Sequence, residues 1–505
     1  MIPHIKKIKQ LAVTLIFTLG AIGCKKDFLE EQNLSALTLQ NYFTTEAQAQ
    51  AAINGIYPTL QILTSANANY GESPWTSIEF PVGHATTLGQ SLYNNGMIRH
   101  NNSSIEPVFK TLWVAFYNGI ANANVSINKI PAIVMNEQTK KSLLGEARFL
   151  RALYYFYLVR LYGDIPLITD EINFASANLY PSRSPKEKVY DLIVSDLLEA
   201  EKSGLPLTDK RGKASLGAVK TLLASVYLTM AGQPLNKGAA YYSLAADKAK
   251  EVIDAGGYSL FTDYYFLHDR PHKNQGELIF QVQYATGIKT NDIIKAITPN
   301  KIGISLLDEY GAIMPRAEFV NSYEANDKRA QEKQFFFTQY NKKGSTAIVK
   351  FGEYALYKYW LVEAAGAGGD ANEDQNFTIF RYPEVLLTYA EASNEVNGTT
   401  QFAYDQVNLI RKRALLPNLS GLTKDQFREA IWKERYHELA FENKAYFDIQ
   451  RTRKVYNLIA NRFEDAFTYK NESGVTFDEK YMLWPIPSSE LDANPKLKPQ
   501  NPGWQ

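Results

Sequence analysis

The sequence predicts a mainly α fold in which tetratricopeptide-like helix pairs form a right-handed scaffold, beside a loop-rich irregular half that contains short β-strands. Long segments carry apolar residues at three- and four-residue steps, the pattern of an amphipathic helix. Two alanine-rich helix–turn–helix stretches, at 222–253 and 386–414, follow one plan. Pairs of about 34 residues stack because neither member buries its apolar face alone. Aromatic stretches without periodicity separate these helices and predict the irregular half.

Individual helices follow from this periodicity. The segment 104–130 has one apolar face, whereas 141–162 is apolar on two faces, which indicates a helix packed from both sides. The last helix begins with a capping-box pattern, Thr423 followed three residues later by Gln426. In chain order the predicted helices are 42–63, 104–130, 141–162, 186–202, 215–231, 239–255, 381–397, 401–415 and 424–452.

The irregular stretches lie at 64–103, 257–313 and 335–380, and two short strands are predicted inside them, at 277–285 and 346–352. Loops of this length inside a compact domain tend to carry function, because they lie on the surface of a rigid scaffold. We therefore expect the binding chemistry of the chain in these three stretches.

The first 23 residues have the pattern of a lipoprotein signal peptide. Lysines precede an apolar run at 11–22, which is shorter than the roughly 20 residues that span a bilayer. Small residues then precede Cys24, the single cysteine of the chain, as in the bacterial lipobox, where the cysteine is acylated. The alternative is an ordinary secretory signal with a coincidental cysteine. The predicted organisation is a signal peptide at 1–23, a lipidated tether at 24–40 and a domain at 41–505, with an N-terminal part of about 41–256 and a C-terminal part of about 257–505.

Composition narrows the function classes. A formal net charge of +1 argues against a nucleic-acid partner, which normally requires a basic excess. Six histidines and one cysteine leave little material for a zinc site and none for a disulfide framework. Aromatic residues make up 13% of the chain, more than a core requires, so some of these rings are expected to line a binding surface.

Catalytic and metal motifs are incomplete, and we predict neither a catalytic residue, nor a metal, nor a cofactor. The sequence "HELAF" at 437–441 begins like a zinc-protease helix, but Phe441 replaces the second histidine. Asp370, Asn372 and Asp374 begin like a calcium loop, but Gln375 replaces the glycine that makes the turn. Glutamates at four-residue steps among basic residues instead predict a charged helix with salt bridges: Glu434, Glu438 and Glu442.

Five segments occur in an order that resembles the SusD/RagB family, the surface nutrient-binding lipoproteins of Bacteroidetes-type bacteria. They are "LWVAFYNGIANANVSI" (112–127), "GEARFLRALYYFYLVRLYGDIPLI" (145–168), "FRYPEVLLTYAEASNE" (380–395), "IWKERYHELAFENKAYFDIQR" (431–451) and "PIPSSELDANPKLKPQNPGW" (485–504). These segments carry scaffold positions. Arginines in the second one are expected to pair with acids on neighbouring helices: Arg148, Arg151 and Arg160.

The resemblance implies binding without catalysis. Family members lie on the exterior of the outer membrane, anchored in its lipid through an acylated cysteine, here Cys24, and deliver a nutrient to a SusC-type TonB-dependent transporter. The stretch "CKKDFLE" resembles the family's surface-export tag. The implied ligand is an oligosaccharide or polysaccharide. The alternatives are the same architecture binding peptides or another nutrient, and an anchored enzyme or structural lipoprotein.

Sugar recognition requires flat aromatic rings for stacking and amide, acid or arginine groups for the hydroxyls. The resemblance places the ligand face in the long early loop and the middle loops. Each candidate there has an alternative as a loop-packing or solvated residue. The candidate platforms are Tyr70, Trp75, Tyr284, Tyr310 and Trp360, and the candidate hydrogen-bonding residues are Asn69, Glu72, Asn94, Asn95 and Arg99.

Overall fold

The computed structural model describes residues 42–65, 72–88, 92–171, 179–366, 368–471 and 474–504. Within these ranges the chain is mainly helical, as predicted. The α-helices are α1 Glu46–Asn54, α2 Pro74–Glu79, α3 Leu92–Ile98, α4 Pro107–Lys129, α5 Glu137–Tyr162, α6 Lys186–Glu201, α7 Leu216–Ala231, α8 Ala239–Asp254, α9 Ile293–Ile297, α10 Ala317–Asn321, α11 Val362–Ala365, α12 Tyr382–Asn397, α13 Gln401–Arg413, α14 Lys424–Glu438, α15 Ala445–Thr452 and α16 Ser488–Ala493.

The long helices form one continuous array. Helix α4 packs on α5, α5 on α6, α6 on α7 and α7 on α8, and α8 then packs on α12, which contacts both α13 and α14. Ala245 and Ala249 of α8 are fully buried, and such small side chains allow close approach of paired helices. The two alanine-rich helix pairs predicted from the sequence are therefore neighbours in space, although more than 100 residues of irregular chain separate them.

One predicted helix is wrong at its centre. The segment 424–452 begins at the predicted capping box of Thr423 and Gln426 but ends at Glu438, and α15 starts only at Ala445. A side chain from another segment binds the backbone carbonyl groups at this break: Lys358 donates to the carbonyls of Glu438 and Ala440, each at 3.0 Å. A continuing helix would use these carbonyls for its own amides, so the chain turns here instead.

The first predicted helix is also divided. Residues 42–63 form α1 and then a 3₁₀ segment, Tyr57–Thr64, in which Pro58 lies in the first turn. Proline lacks the amide hydrogen that an uninterrupted α-helix would use.

In the part of the chain that the structure describes, the strands form four two-stranded antiparallel sheets. Strand β1 (Ala85–Thr86) pairs with β3 (Met314–Pro315), and β2 (Leu278–Val282) pairs with β6 (Phe377–Arg381). The other pairs are β4 (Phe336–Asn341) with β5 (Ile348–Leu356), and β7 (Lys454–Asn457) with β8 (Arg462–Asp465). Strands β2 and β5 confirm the two strands predicted from the sequence.

The irregular half has a hydrophobic core of its own, distinct from the large core of the helix array. Trp360 is fully buried at its centre, and its ring lies 5.2 Å from that of Phe337 and 5.0 Å from that of Tyr340. Much of the aromatic surplus of the sequence is therefore packing material, contrary to the inference that these rings exceed what a core requires.

Candidate ligand-binding surface

The early loop and the middle of the chain meet along the segment 84–88. The amide of Leu88 donates to the carbonyl of Gly311 at 2.8 Å, and the amide of Arg316 donates to the carbonyl of His84 at 2.9 Å. Gly311 has a φ of +58°, and a Cβ there would lie 3.0 Å from Leu88. Glycine therefore allows the close approach that places Tyr310 beside the early loop.

Tyr310 is half-buried and lies among ionised groups. Its amide donates to the carbonyl of Lys295 at 2.9 Å, and its hydroxyl donates to Asp308 at 3.3 Å. The Lys295 ammonium lies 2.8 Å from Asp292 and 3.5 Å from Glu373. The Tyr310 ring, the Asp308 and Asp292 carboxylates and the Lys295 ammonium thus share a surface, the combination that sugar recognition requires.

Glu373 supports this surface from below. It is 2% exposed, and burial raises the pKa of its carboxyl to about 7 although Lys295 opposes the shift. The Lys295 amide donates to Glu373 Oε1 at 3.0 Å, and the Asn291 amide donates to the Glu373 carbonyl at 2.9 Å. These bonds fix the segment 291–295 against 373–376.

A second polar cluster lies around residues 370–374, next to Glu373 in the sequence. Arg270 forms ion pairs with Asp370 at 2.8 Å and with Asp374 at 2.7 Å. Hydrogen bonds from Arg270 lower the pKa of Asp370 to about 2. Both carboxylates of the incomplete calcium motif are thus engaged by one guanidinium.

Three of the predicted aromatic platforms are buried, which corrects their expected exposure. Trp75 is 1% exposed and its indole nitrogen donates to the carbonyl of Phe441 at 2.9 Å. Tyr284 is 4% exposed and its hydroxyl is bonded to Thr64. Trp360 is the centre of the second core. Their rings pack against protein and are closed to a ligand.

The polar candidates divide in the same way. Asn94 is fully buried, whereas Glu72 and Asn95 are half-buried and Arg99 is exposed. Helix α3, which ends just before Arg99, contacts strand β1, and β1 pairs with β3 a few residues beyond Tyr310. Asn69 and Tyr70 lie outside the described residues. Of the ten predicted residues, the structure leaves these accessible: Glu72, Asn95, Arg99 and Tyr310.

Sequence reasoning missed three polar residues of this surface: Asp292, Lys295 and Asp308. A local signal exists for the first two, because an acid and a lysine three residues apart share one face of a helix. The contact between Lys295 and Glu373 joins residues 78 positions apart and has no local signal.

Comparisons with known proteins agree with this architecture. A model described as "SusD family" matches residues 324–504, and one described as "Starch-binding associating with outer membrane" matches residues 27–228. SusD-like protein P2 of Formosa agariphila is 29% identical over 533 residues, covering 99% of this chain and 100% of that protein. In the described ranges, the helices are all too short or too polar to cross a membrane.

Solved structures of SusD-type proteins have the same fold. A SusD superfamily protein from Parabacteroides distasonis superposes with a TM-score of 0.88 at 37% identity, covering 93% of this chain and 100% of that one. A laminarin-binding SusD-like protein shares the fold, with a TM-score of 0.74 at 24% identity, covering 91% of this chain and 100% of that one. The helix array, the joined loops and these matches together show that the chain belongs to the SusD/RagB family.

Proposed function

We propose that the chain is a lipoprotein on the outer face of the outer membrane, where it binds an oligosaccharide or polysaccharide and delivers it to a SusC-type TonB-dependent transporter. The observation that carries the binding role is the accessible ring of Tyr310 beside Asp308, Asp292 and Lys295. Family membership and the starch-binding description of the N-terminal match support the same class of ligand. The laminarin-binding relative provides a precedent for glycan binding on this fold.

The proposed surface binds without reorganising. Backbone bonds from Leu88 to Gly311 and from Tyr310 to Lys295 hold the loops before ligand arrives, which lowers the entropic cost of binding. A sugar ring stacks on Tyr310 while Asp308 and Lys295 hydrogen-bond its hydroxyls. Residues of the early loop complete the surface in this proposal: Asn69, Tyr70, Glu72, Asn95 and Arg99.

Replacing Tyr310 with alanine is expected to weaken oligosaccharide binding by about 10- to 100-fold, because a buried aromatic contact contributes about 1.5–3 kcal/mol. The Tm should change little, since the ring is half-exposed and its hydroxyl donates to an exposed carboxylate. Isothermal titration calorimetry over an oligosaccharide panel and a peptide panel, with scanning calorimetry of each variant, measures both effects. Tyr180→Ala is the matched control, because Tyr180 is 52% exposed and lies outside this surface.

Three results would contradict the proposal. Binding confined to the peptide panel would replace a glycan with a peptide as the ligand. Release of shortened products from any panel member, followed by chromatography, would indicate an anchored enzyme. Equal weakening by Tyr310→Ala and Tyr180→Ala would move the glycan contact away from the proposed surface.

Replacing Cys24 with serine is expected to abolish acylation and move the protein from the membrane fraction to the soluble fraction, because lipid chains supply the membrane affinity. Glycan affinity of the soluble variant should equal that of the native protein. Metabolic labelling with palmitate and fractionation check the first result, and calorimetry checks the second. Ser35→Ala, in the same tether, should remain labelled and membrane-bound. A Cys24→Ser protein that still carries label would overturn the anchor.

A further inference from the structure

A cavity of about 320 Å³ lies in the helical half, away from the surface around Tyr310. It forms where the end of α5, the start of α6 and helix α15 meet the C-terminal segment. No part of the proposed glycan surface lines it. Its volume lies at the small end of the range for ligand pockets, which is about 300–1,000 Å³.

The lining of this cavity is unusually cationic. Five of its side chains are basic and two are acidic. The basic ones are Arg160, Arg183, Lys186, Arg451 and Arg453, and the acidic ones are Asp164 and Glu479. Arg451 is neutralised from outside the cavity by Glu391 and Asp448. The other four outnumber the two acids of the lining, and of these four Lys186 also lies 3.9 Å from Glu187.

Among these basic residues, Arg160 is held most clearly without a carboxylate partner within the described ranges. Its guanidinium lies 3.6 Å from the ring centres of both Phe156 and Phe447, so it is fixed between two aromatic faces. Its Nε donates to the Phe156 carbonyl at 3.0 Å, and within the described ranges its terminal nitrogens have neither a carboxylate nor a hydrogen-bond partner. The expected pairing with an acid is therefore wrong for Arg160. It holds for Arg151, which binds Asp196 through two bonds of 2.7 Å.

The neighbouring arginines also bond to uncharged groups. Arg183 donates to the carbonyls of Asp164 and Pro499, at 2.7 and 2.8 Å. Arg453 donates to the Gln450 carbonyl at 2.7 Å. In the part of the chain that the structure describes, neither guanidinium forms an ion pair. Burial lowers the pKa of Arg160 to about 10 and lowers that of Arg183 and Arg453, although carboxylates near each of them oppose the shift.

We propose that this cavity binds a small organic ligand through an oxyanion, with a carboxylate-bearing monosaccharide such as a hexuronate as the ligand class. Planar guanidinium groups pair with carboxylates in two-bond geometry. The remaining walls offer apolar contacts for the body of the ligand, from Tyr190, Pro234 and Leu483. The Asp164 carboxylate is partly engaged within the protein, because its Oδ1 accepts the Lys186 amide at 2.9 Å.

The test is calorimetric titration of the full, detergent-solubilised chain with glucuronate, with glucose as the uncharged control. Glucuronate should bind saturably, glucose should give no binding in the same range, and inorganic phosphate should compete with glucuronate. Absence of saturable glucuronate binding up to about 10 mM, or equal binding of glucose, would overturn the proposal.

A matched pair of variants locates the site. Lys186 and Lys188 lie on one helix with comparably distant acidic neighbours, at 3.9 and 3.8 Å, but Lys186 lines the cavity and Lys188 is 71% exposed outside it. Lys186→Gln should weaken glucuronate binding about tenfold, whereas Lys188→Gln should leave it unchanged. Arg160→Met, which keeps a side chain between the two rings, should weaken it at least as much as Lys186→Gln.

Tyr310→Ala should leave glucuronate binding intact, which separates this cavity from the proposed glycan surface. Equal effects of Lys186→Gln and Lys188→Gln, or loss of glucuronate binding in Tyr310→Ala, would place the anion elsewhere and overturn the assignment. A Tm within a few degrees of the native value in each variant shows that the comparison concerns folded protein.

Discussion

Replacing Arg381 with methionine should lower the free energy of unfolding by about 4 kcal/mol or more, because breaking a buried ion pair leaves uncompensated charge in the core. Arg381 is 1% exposed and reaches three glutamates. Its Nη1 lies 3.1 Å from Glu277, its Nε lies 2.8 Å from Glu442, and it also pairs with Glu438. All three carboxylates would remain in the variant.

These carboxylates belong to a larger buried network. Arg413 joins Glu277 to Glu438, and Arg329 reaches Glu438 as well as Glu434. Burial alone would raise the pKa of Glu438, but Arg413, Arg381 and Arg329 hold it at about 2. The group is therefore ionised at neutral pH, and methionine in place of Arg381 removes one of the charges that keep it stable in that form.

The lowered pKa gives the prediction a pH dependence. A carboxyl whose pKa in the folded state lies below its unfolded value of about 4.3 contributes stability above that value and loses it as the pH falls. The loss of unfolding free energy caused by Arg381→Met should thus be largest near pH 7 and shrink between about pH 4 and pH 2. Denaturant titrations at several pH values measure it.

Arg462→Met provides the control, since Arg462 is 66% exposed and pairs with Glu464 at the surface. Such pairs contribute about 0–1 kcal/mol. Arg381→Lys keeps the charge but not the planar fork, so it should fall between native and Arg381→Met and remains measurable if the methionine variant does not accumulate. A deficit below about 1 kcal/mol for Arg381→Met, or one that does not change with pH, would contradict this account of the network.

The glutamates of this network show which features of the helix the local spacing of residues predicts. Their four-residue spacing among basic residues predicts a charged helix with local salt bridges, but Glu434 and Glu438 form ion pairs with arginines of other segments. The pattern does not reveal that the helix is buried, because the partners Arg329 and Arg381 come from other segments, 105 and 57 residues away. Helix α14 ends at Glu438 for the same reason, since distant side chains take its carbonyls.

The candidate surface shows a similar limit. Family resemblance places the ligand face in the long loops, and the structure joins those loops through β1 and β3. Composition does not separate a ring that faces solvent from one that fills the second core, because Tyr310 and Trp360 both occur in long stretches without helical periodicity. Only long-range contacts, such as that of Lys295 with Glu373, identify which loop residues share the surface.

Substitution of Trp75 distinguishes an exposed binding platform from a buried core residue. If Trp75 were an exposed platform, Trp75→Ala would weaken glycan binding and leave the Tm unchanged. As the structure has it, the indole packs against Tyr359 at 5.4 Å and Phe377 at 6.0 Å and is closed to solvent. Removing a buried tryptophan side chain costs about 3–5 kcal/mol. Trp75→Ala should therefore lower the Tm by several degrees and leave the glycan affinity of the folded protein unchanged.

Two further variants isolate the cause of that loss. Trp75→Phe keeps most of the apolar contact but removes the N–H that donates to Phe441, whose carbonyl still accepts from Tyr359 at 2.8 Å. It should cost about 1–2 kcal/mol, roughly one buried hydrogen bond and a small cavity. Trp432→Ala, at a half-buried indole on α14, should cost less than Trp75→Ala. A Trp75→Ala protein with native Tm and weakened glycan binding would restore the platform and place the tryptophan on the ligand face, because the core contacts would then contribute nothing to the fold.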